Sequence, residues 1–170
     1  MAILTVGADQ QFQTLGAAVA ASSAGDTIQV MAGTYNDDYV NIDHALTIVG
    51  VGGYAHFTND QDIPNGKGIF IVNANVTIQN LEFSGARVGD NNGAGIRWES
   101  GNLTVLNSYF HDNQEGILAG ANPTGVGVIK GSAFIHNGYS PSDDQEHGVY
   151  IGTVASLTVD GNYFSNQNGG

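Results

Sequence analysis

Val76-Thr77-Ile78-Gln79-Asn80-Leu81-Glu82-Phe83 decides the fold, because the pattern returns three more times. It recurs as Leu103-Thr104-Val105-Leu106-Asn107-Ser108-Tyr109-Phe110, as Gly127-Val128-Ile129-Lys130-Gly131-Ser132-Ala133-Phe134, and as Leu157-Thr158-Val159-Asp160-Gly161-Asn162-Tyr163-Phe164. The phenylalanines are spaced 27, 24 and 30 residues apart. Within a unit the apolar residues alternate, which is the period of a β-strand. Asn80, Asn107, Gly131 and Gly161 then share one position, and Asn and Gly are the residues that tolerate a left-handed backbone. A strand, a sharp turn and a short second strand, repeated every two to three dozen residues, make one coil of a parallel β-helix. Strands are therefore expected at 76–79, 103–106, 127–130 and 157–159, with Phe83, Phe110, Phe134 and Phe164 stacked inside.

A second motif precedes each unit: Gly68-Ile69, Gly95-Ile96, Gly116-Ile117 and Gly148-Val149. If the aliphatic residue of each pair points inward, Phe70, Arg97, Leu118 and Tyr150 form one outward column. Lys67, Ala94, Glu115 and His147 form a second column beside it. Trp98 alternates inward, and His111 and His136 read as surface residues at turns.

The front of the chain reads as a cap. Thr14 is placed to N-cap a helix running to about Ala24 and closed by Gly25, with Phe12, Leu15 and Val19 on one face. Such a helix covers the first rung of a solenoid. Residues 1–170 are read as a single β-helix domain, all-β apart from this helix. Asn168-Gly169-Gly170 falls where another Gly-aliphatic strand would begin, so either a longer chain or another subunit is expected to cover that end.

Gly25-Asp26-Thr27-Ile28-Gln29-Val30-Met31-Ala32-Gly33-Thr34-Tyr35, followed by Leu46-Thr47-Ile48-Val49-Gly50, resembles the opening of right-handed parallel β-helix proteins of the pectate-lyase-like superfamily. The resemblance spans nearly the whole chain and implies a right-handed solenoid. It leaves function open, since lyases, hydrolases, esterases, epimerases, tailspikes and inert solenoids share this fold.

Composition narrows the partners. The net charge is −12, and the basic residues are only Lys67, Arg87, Arg97 and Lys130. That surface repels nucleic acid and anionic membranes. It suits a cation, with Ca²⁺ the natural ion for oxygen-rich acidic loops. Gly89-Asp90-Asn91-Asn92-Gly93 is one such loop and Asn137–Glu146 is the other, neither with EF-hand spacing. There is no cysteine and hence no disulfide. Met1–Gly7 lacks the basic start and apolar stretch of a secretory leader, and secretion is favoured over a cytoplasmic location.

The candidate site gathers on one face. Arg97, Glu115, His147 and Tyr150 are expected to converge as catalytic residues, with Glu99, Asp143, Asp144 and Glu146 as substrate-binding neighbours. An imidazole titrates near neutrality without tuning, so His147 is the natural base. In β-helix enzymes of this superfamily, sugars bind across the outer face. A base, a proton donor and a cation are the parts a polysaccharide lyase or epimerase needs. Asp143-Asp144 and His147-Gly148 are similar to the aspartate pair and His-Gly of polygalacturonases. There, however, the two motifs lie on separate coils, so that mechanism is not carried over. The alternative is a non-catalytic binding, adhesion or scaffold module, or a fragment of an enzyme.

Overall fold

The computed structural model describes residues 1–138 and 146–168. In chain order the elements are β1 (Ile3–Val6), α1 (Leu15–Ala21), β2 (Asp26–Asn36), β3 (Val40–Ile42), β4 (Leu46–Thr58), β5 (Gly68–Val72), β6 (Val76–Gln79), β7 (Leu81–Ser84), β8 (Ala94–Trp98), β9 (Leu103–Leu106), β10 (Tyr109–His111), β11 (Glu115–Lys130), β12 (Ala133–Ile135), β13 (Val149–Asp160) and β14 (Tyr163–Ser165). All named strand pairs are parallel, and they stack coil on coil. The chain is a parallel solenoid with three faces. The first face runs through β1, the front of β2 and of β4, β6, β9 and the ends of β11 and β13. The second runs through the ends of β2 and β4, then β7, β10, β12 and β14. The third runs through β3, β5, β8 and the starts of β11 and β13.

The corner between the first two faces is the expected left-handed turn. Asn80, Asn107, Gly131 and Gly161 have φ of 55°, 47°, 61° and 63°. Polar ladders hold the corners inside. Leu81 N–H donates to Ser108 Oγ, Ser108 N–H to Ser132 Oγ, and Ser132 N–H to Asn162 Oδ1. After the second face, Asn113, Asn137 and Gln167 form an amide ladder that satisfies buried backbone of the coil before each. These bonds let a polar turn lie next to the core at no cost in unpaired groups.

The core is an aromatic stack. Phe83, Phe110 and Phe134 are fully buried, with ring centroids 4.9 Å and 4.8 Å apart. Phe57 and Tyr35 extend the stack toward the N-terminus, which the sequence repeat did not reveal. Phe164 stacks on Phe134 at 4.8 Å but is 44% exposed, so it is not interior as expected. It lies on the last coil, where Leu157 and Val159 are also exposed.

The glycines of the Gly-aliphatic motif have a packing reason. A Cβ on Gly95 would sit 2.9 Å from the Gly116 carbonyl and 3.2 Å from the Phe110 ring. One on Gly116 would sit 2.3 Å from the Gly148 carbonyl and 3.0 Å from the Phe134 ring. The phenylalanine ladder nests in a ladder of missing side chains.

Three expectations change. Gly68 pairs with Ala94 and Phe70 with Ile96, so the Gly68-Ile69 motif is one residue out of register. Phe70 is buried against Phe57 and Phe83, and Ile71 takes the outward place beside Arg97. A one-residue slip exchanges the faces of a strand. Lys67 accordingly leaves the column of Glu115. The helix ends at Ala21 with Ser22 as its C-cap, earlier than Ala24. Thr14 is its N-cap, accepting from Ala17 N–H. Finally, His111 is a half-buried member of a side-chain cluster instead of a free surface residue.

Candidate functional site

The third face carries an open cleft of about 360 Å³ on its later coils. Asn92, Arg97, Glu115, His147 and Tyr150 line it, with Leu118, Ala119 and Gly120 as its apolar wall. Strand register explains the gathering. Leu118 pairs with Arg97 on one side and Tyr150 on the other, so Arg97 and Tyr150 stand two rungs apart with only a leucine between them. Rungs are about 4.8 Å apart, so the strands carrying Arg97 and Tyr150 are roughly 9.6 Å apart.

Glu115 opens β11 but is only 1% exposed. The expectation of an outward column holds for its place at the cleft and fails for its exposure. Its Oε2 accepts the His147 backbone N–H at 3.0 Å. Burial pushes its carboxyl up to about 8, with the nearby Glu146 charge adding, while the His147 hydrogen bond and Arg97 act the other way. Desolvation wins because a buried carboxylate loses water that one amide and the Arg97 charge do not replace. Burial therefore favours the protonated form of Glu115.

His147 and Tyr150 pack together, with ring centroids 5.4 Å apart. Tyr150 is 46% exposed, as the alternation requires. Nδ1 of His147 is buried with no hydrogen-bond partner among the described residues. Arg97 Nε donates to Glu99 Oε1 at 3.1 Å, and Lys67 Nζ reaches the same oxygen at 2.5 Å. Burial pushes the Glu99 carboxyl up, but the hydrogen bonds and charges of Lys67 and Arg97 together outweigh it and hold the carboxyl below its usual range. Glu99 thus sits beside the cleft as the anchor of Arg97.

Glu146 is fully buried, behind the cleft and within reach of Glu115's charge. Asp143 and Asp144 lie outside the described residues. The loop at 89–93 is fixed from below, where Gln114 Oε1 accepts from both Val88 and Gly93 N–H at 2.8 Å. That brings Asn92 to the rim. No helix among the described residues is long and apolar enough to cross a membrane.

Sequence reasoning missed a cluster on the second face. His56, Glu82 and His111 offer three ligand atoms within 4.8 Å of one another. The signal was present but concealed. Residues between Gly50 and Ala55 lengthen that coil's corner, so Phe57 does not align by eye with Phe83, and His56 is not placed beside Glu82.

Comparison with known proteins bears on the fold. Residues 44–170 match the family described as "Right handed beta helix region". Among curated proteins, none is similar enough in sequence to count as a relative. Two solved structures of the pectin methylesterase from Aspergillus niger, one deglycosylated and one penultimately deglycosylated, superpose with a TM-score of 0.66 at 18% identity. The match covers 95% of this chain and 56% of the esterase, so this chain spans little more than half of that protein's length.

Proposed function

The chain belongs to the right-handed β-helix family, and from that premise we propose that it binds an acidic polysaccharide in the third-face cleft and carries out acid–base chemistry on it. The carrying observation is the convergence of Arg97, Glu115, His147 and Tyr150, from three successive coils, on one open cleft. The likeness to a protein named as a pectin methylesterase supports the substrate class.

The groups suit β-elimination or epimerisation of a uronate. His147 takes the proton beside the sugar carboxylate. Arg97 steadies the enolate-like charge that develops there. Glu115, held protonated by burial, donates to the leaving oxygen, after which the glycosidic bond has broken and a double bond remains. In an epimerase the proton would instead return on the other face of the ring. Tyr150 supplies an exposed aromatic platform against which a sugar packs. If Ca²⁺ takes part, Asn92 at the cleft and its loop neighbour Asp90 would hold it, and it would supply positive charge toward the substrate's carboxylates.

A second reading is a binding module without turnover. It is favoured by the pairing of Arg97 with Glu99, which neutralises much of the charge that catalysis would draw on. The test is incubation of the full chain with acidic and neutral polysaccharides, with and without Ca²⁺, followed by absorbance of unsaturated products and assay of reducing ends. Turnover lost on His147→Ala and on Glu115→Gln supports the enzyme. Binding without turnover supports the module. Turnover unaffected by His147→Ala overturns the assignment.

A further inference from the structure

The second face bears titratable side chains that the proposed chemistry does not use. The geometry points to a second site there: His56, Glu82 and His111 bind a divalent transition ion of the Zn²⁺ class, clipping three successive coils. His56 lies on β4, Glu82 on β7 and His111 on β10. Register puts His56 beside Glu82, and His111 beside Ser84, two residues along the same face.

The distances fit a small ion. Glu82 Oε1 is 2.9 Å from His111 Nε2 and 3.8 Å from His56 Nε2. Ligands at about 2.0–2.1 Å in a tetrahedron stand about 3.3 Å apart, between these two values. The third pair, His56 and His111, has its ligand atoms within 4.8 Å, so side-chain movement of about 1.5 Å at most closes the site. The side chains are 19–25% exposed, enough for an ion to enter and for water to complete its shell.

The surroundings are those of a metal-bound histidine. His111 Nδ1 is 2.7 Å from Asp112 Oδ2, which fixes that nitrogen as the N–H and aims Nε2 at the cluster. Carboxylate–histidine–metal relays are built this way. The His111 ring also stacks on Tyr109 at 4.4 Å. On the other side, His56 Nε2 is 2.7 Å from Ser84 Oγ, whose hydroxyl donates to Thr58 Oγ1. Metal entry moves the His56 proton to Nδ1 and leaves Ser84 on Thr58.

The ligand set selects the ion. Two imidazoles and one carboxylate suit Zn²⁺ and its neighbours, whereas Ca²⁺ and Mg²⁺ require mostly oxygen. His111 lies between two carboxylates, with Nε2 2.9 Å from Glu82 Oε1 and Nδ1 2.7 Å from Asp112 Oδ2.

The test is calorimetric titration of the chelator-treated full chain with Zn²⁺. We expect one tight site per chain, unchanged by excess Ca²⁺ and unchanged in His44→Ala. His56→Ala and His111→Ala should each weaken it at least about 100-fold, and Asp112→Asn about 10- to 100-fold. Wild-type protein loaded with Co²⁺ gives a readout that needs no variant: the ring protons of two of the five histidines should be paramagnetically shifted. Absence of Zn²⁺ binding, binding indifferent to both histidine variants, displacement by Ca²⁺, or a Co²⁺ spectrum with other histidines shifted would each overturn the site.

Discussion

Replacing Phe110 with Ala tests the solenoid at its centre. Phe110 is fully buried and sandwiched between Phe83, at 4.9 Å and 10°, and Phe134, at 4.8 Å and 5°. A buried Phe→Ala change costs roughly 3–5 kcal/mol through lost transfer energy and the cavity left behind. Two stacked partners, each worth about 0.5–1.5 kcal/mol, place this site in the upper half of that range, at about 4–5 kcal/mol. Phe164 supplies the internal control. It is 44% exposed and has one stacked neighbour, so its removal should cost about 2 kcal/mol. Urea unfolding followed by circular dichroism measures both losses, and Phe110→Leu gives a milder variant if Phe110→Ala does not fold. Equal losses at the two positions, or a loss below about 1 kcal/mol at Phe110, would refute an interior aromatic ladder.

Gly116→Ala should destabilise by more than about 2 kcal/mol, because its Cβ would meet the Gly148 carbonyl at 2.3 Å, whereas Gly120→Ala, with nothing within 4 Å, should stay within about 0.5 kcal/mol; thermal denaturation separates them. Asn113→Ala should cost about 2–3 kcal/mol, since it strands the buried Ala86 N–H and Phe83 carbonyl. Glu115 has its folded-state pKa raised to about 8, so the folded state holds the proton more tightly and stability should fall as pH rises from about 5 to about 8. Glu115→Gln should flatten that part of the melting-temperature profile. The exposed Leu157, Val159 and Phe164 should promote self-association, visible by light scattering as a mass that rises with concentration and falls in Phe164→Asp.

How much was legible follows from what repeats. The coils at 76–83, 103–110, 127–134 and 157–164 could be read because strand, turn and phenylalanine keep one spacing, and side-chain direction then follows from period two. Arg97, Leu118 and Tyr150 were placed correctly for that reason. Corners are where reading failed. Their length varies freely without disturbing the ladders on either side, so spacing across them carries no information. At Gly68-Ile69 the register is one residue out, so Phe70, expected to face outward, is buried in the protein. Between Gly50 and Ala55 a longer corner hid Phe57, and with it His56. Burial was the other blind spot. Alternation says which way Glu115 points but not whether neighbouring coils close over it, and that closure raises its carboxyl pKa. The same physics makes both sites possible. A ladder that stacks like on like leaves its outward positions unconstrained, and three rungs can then bring unrelated residues within reach of one ligand.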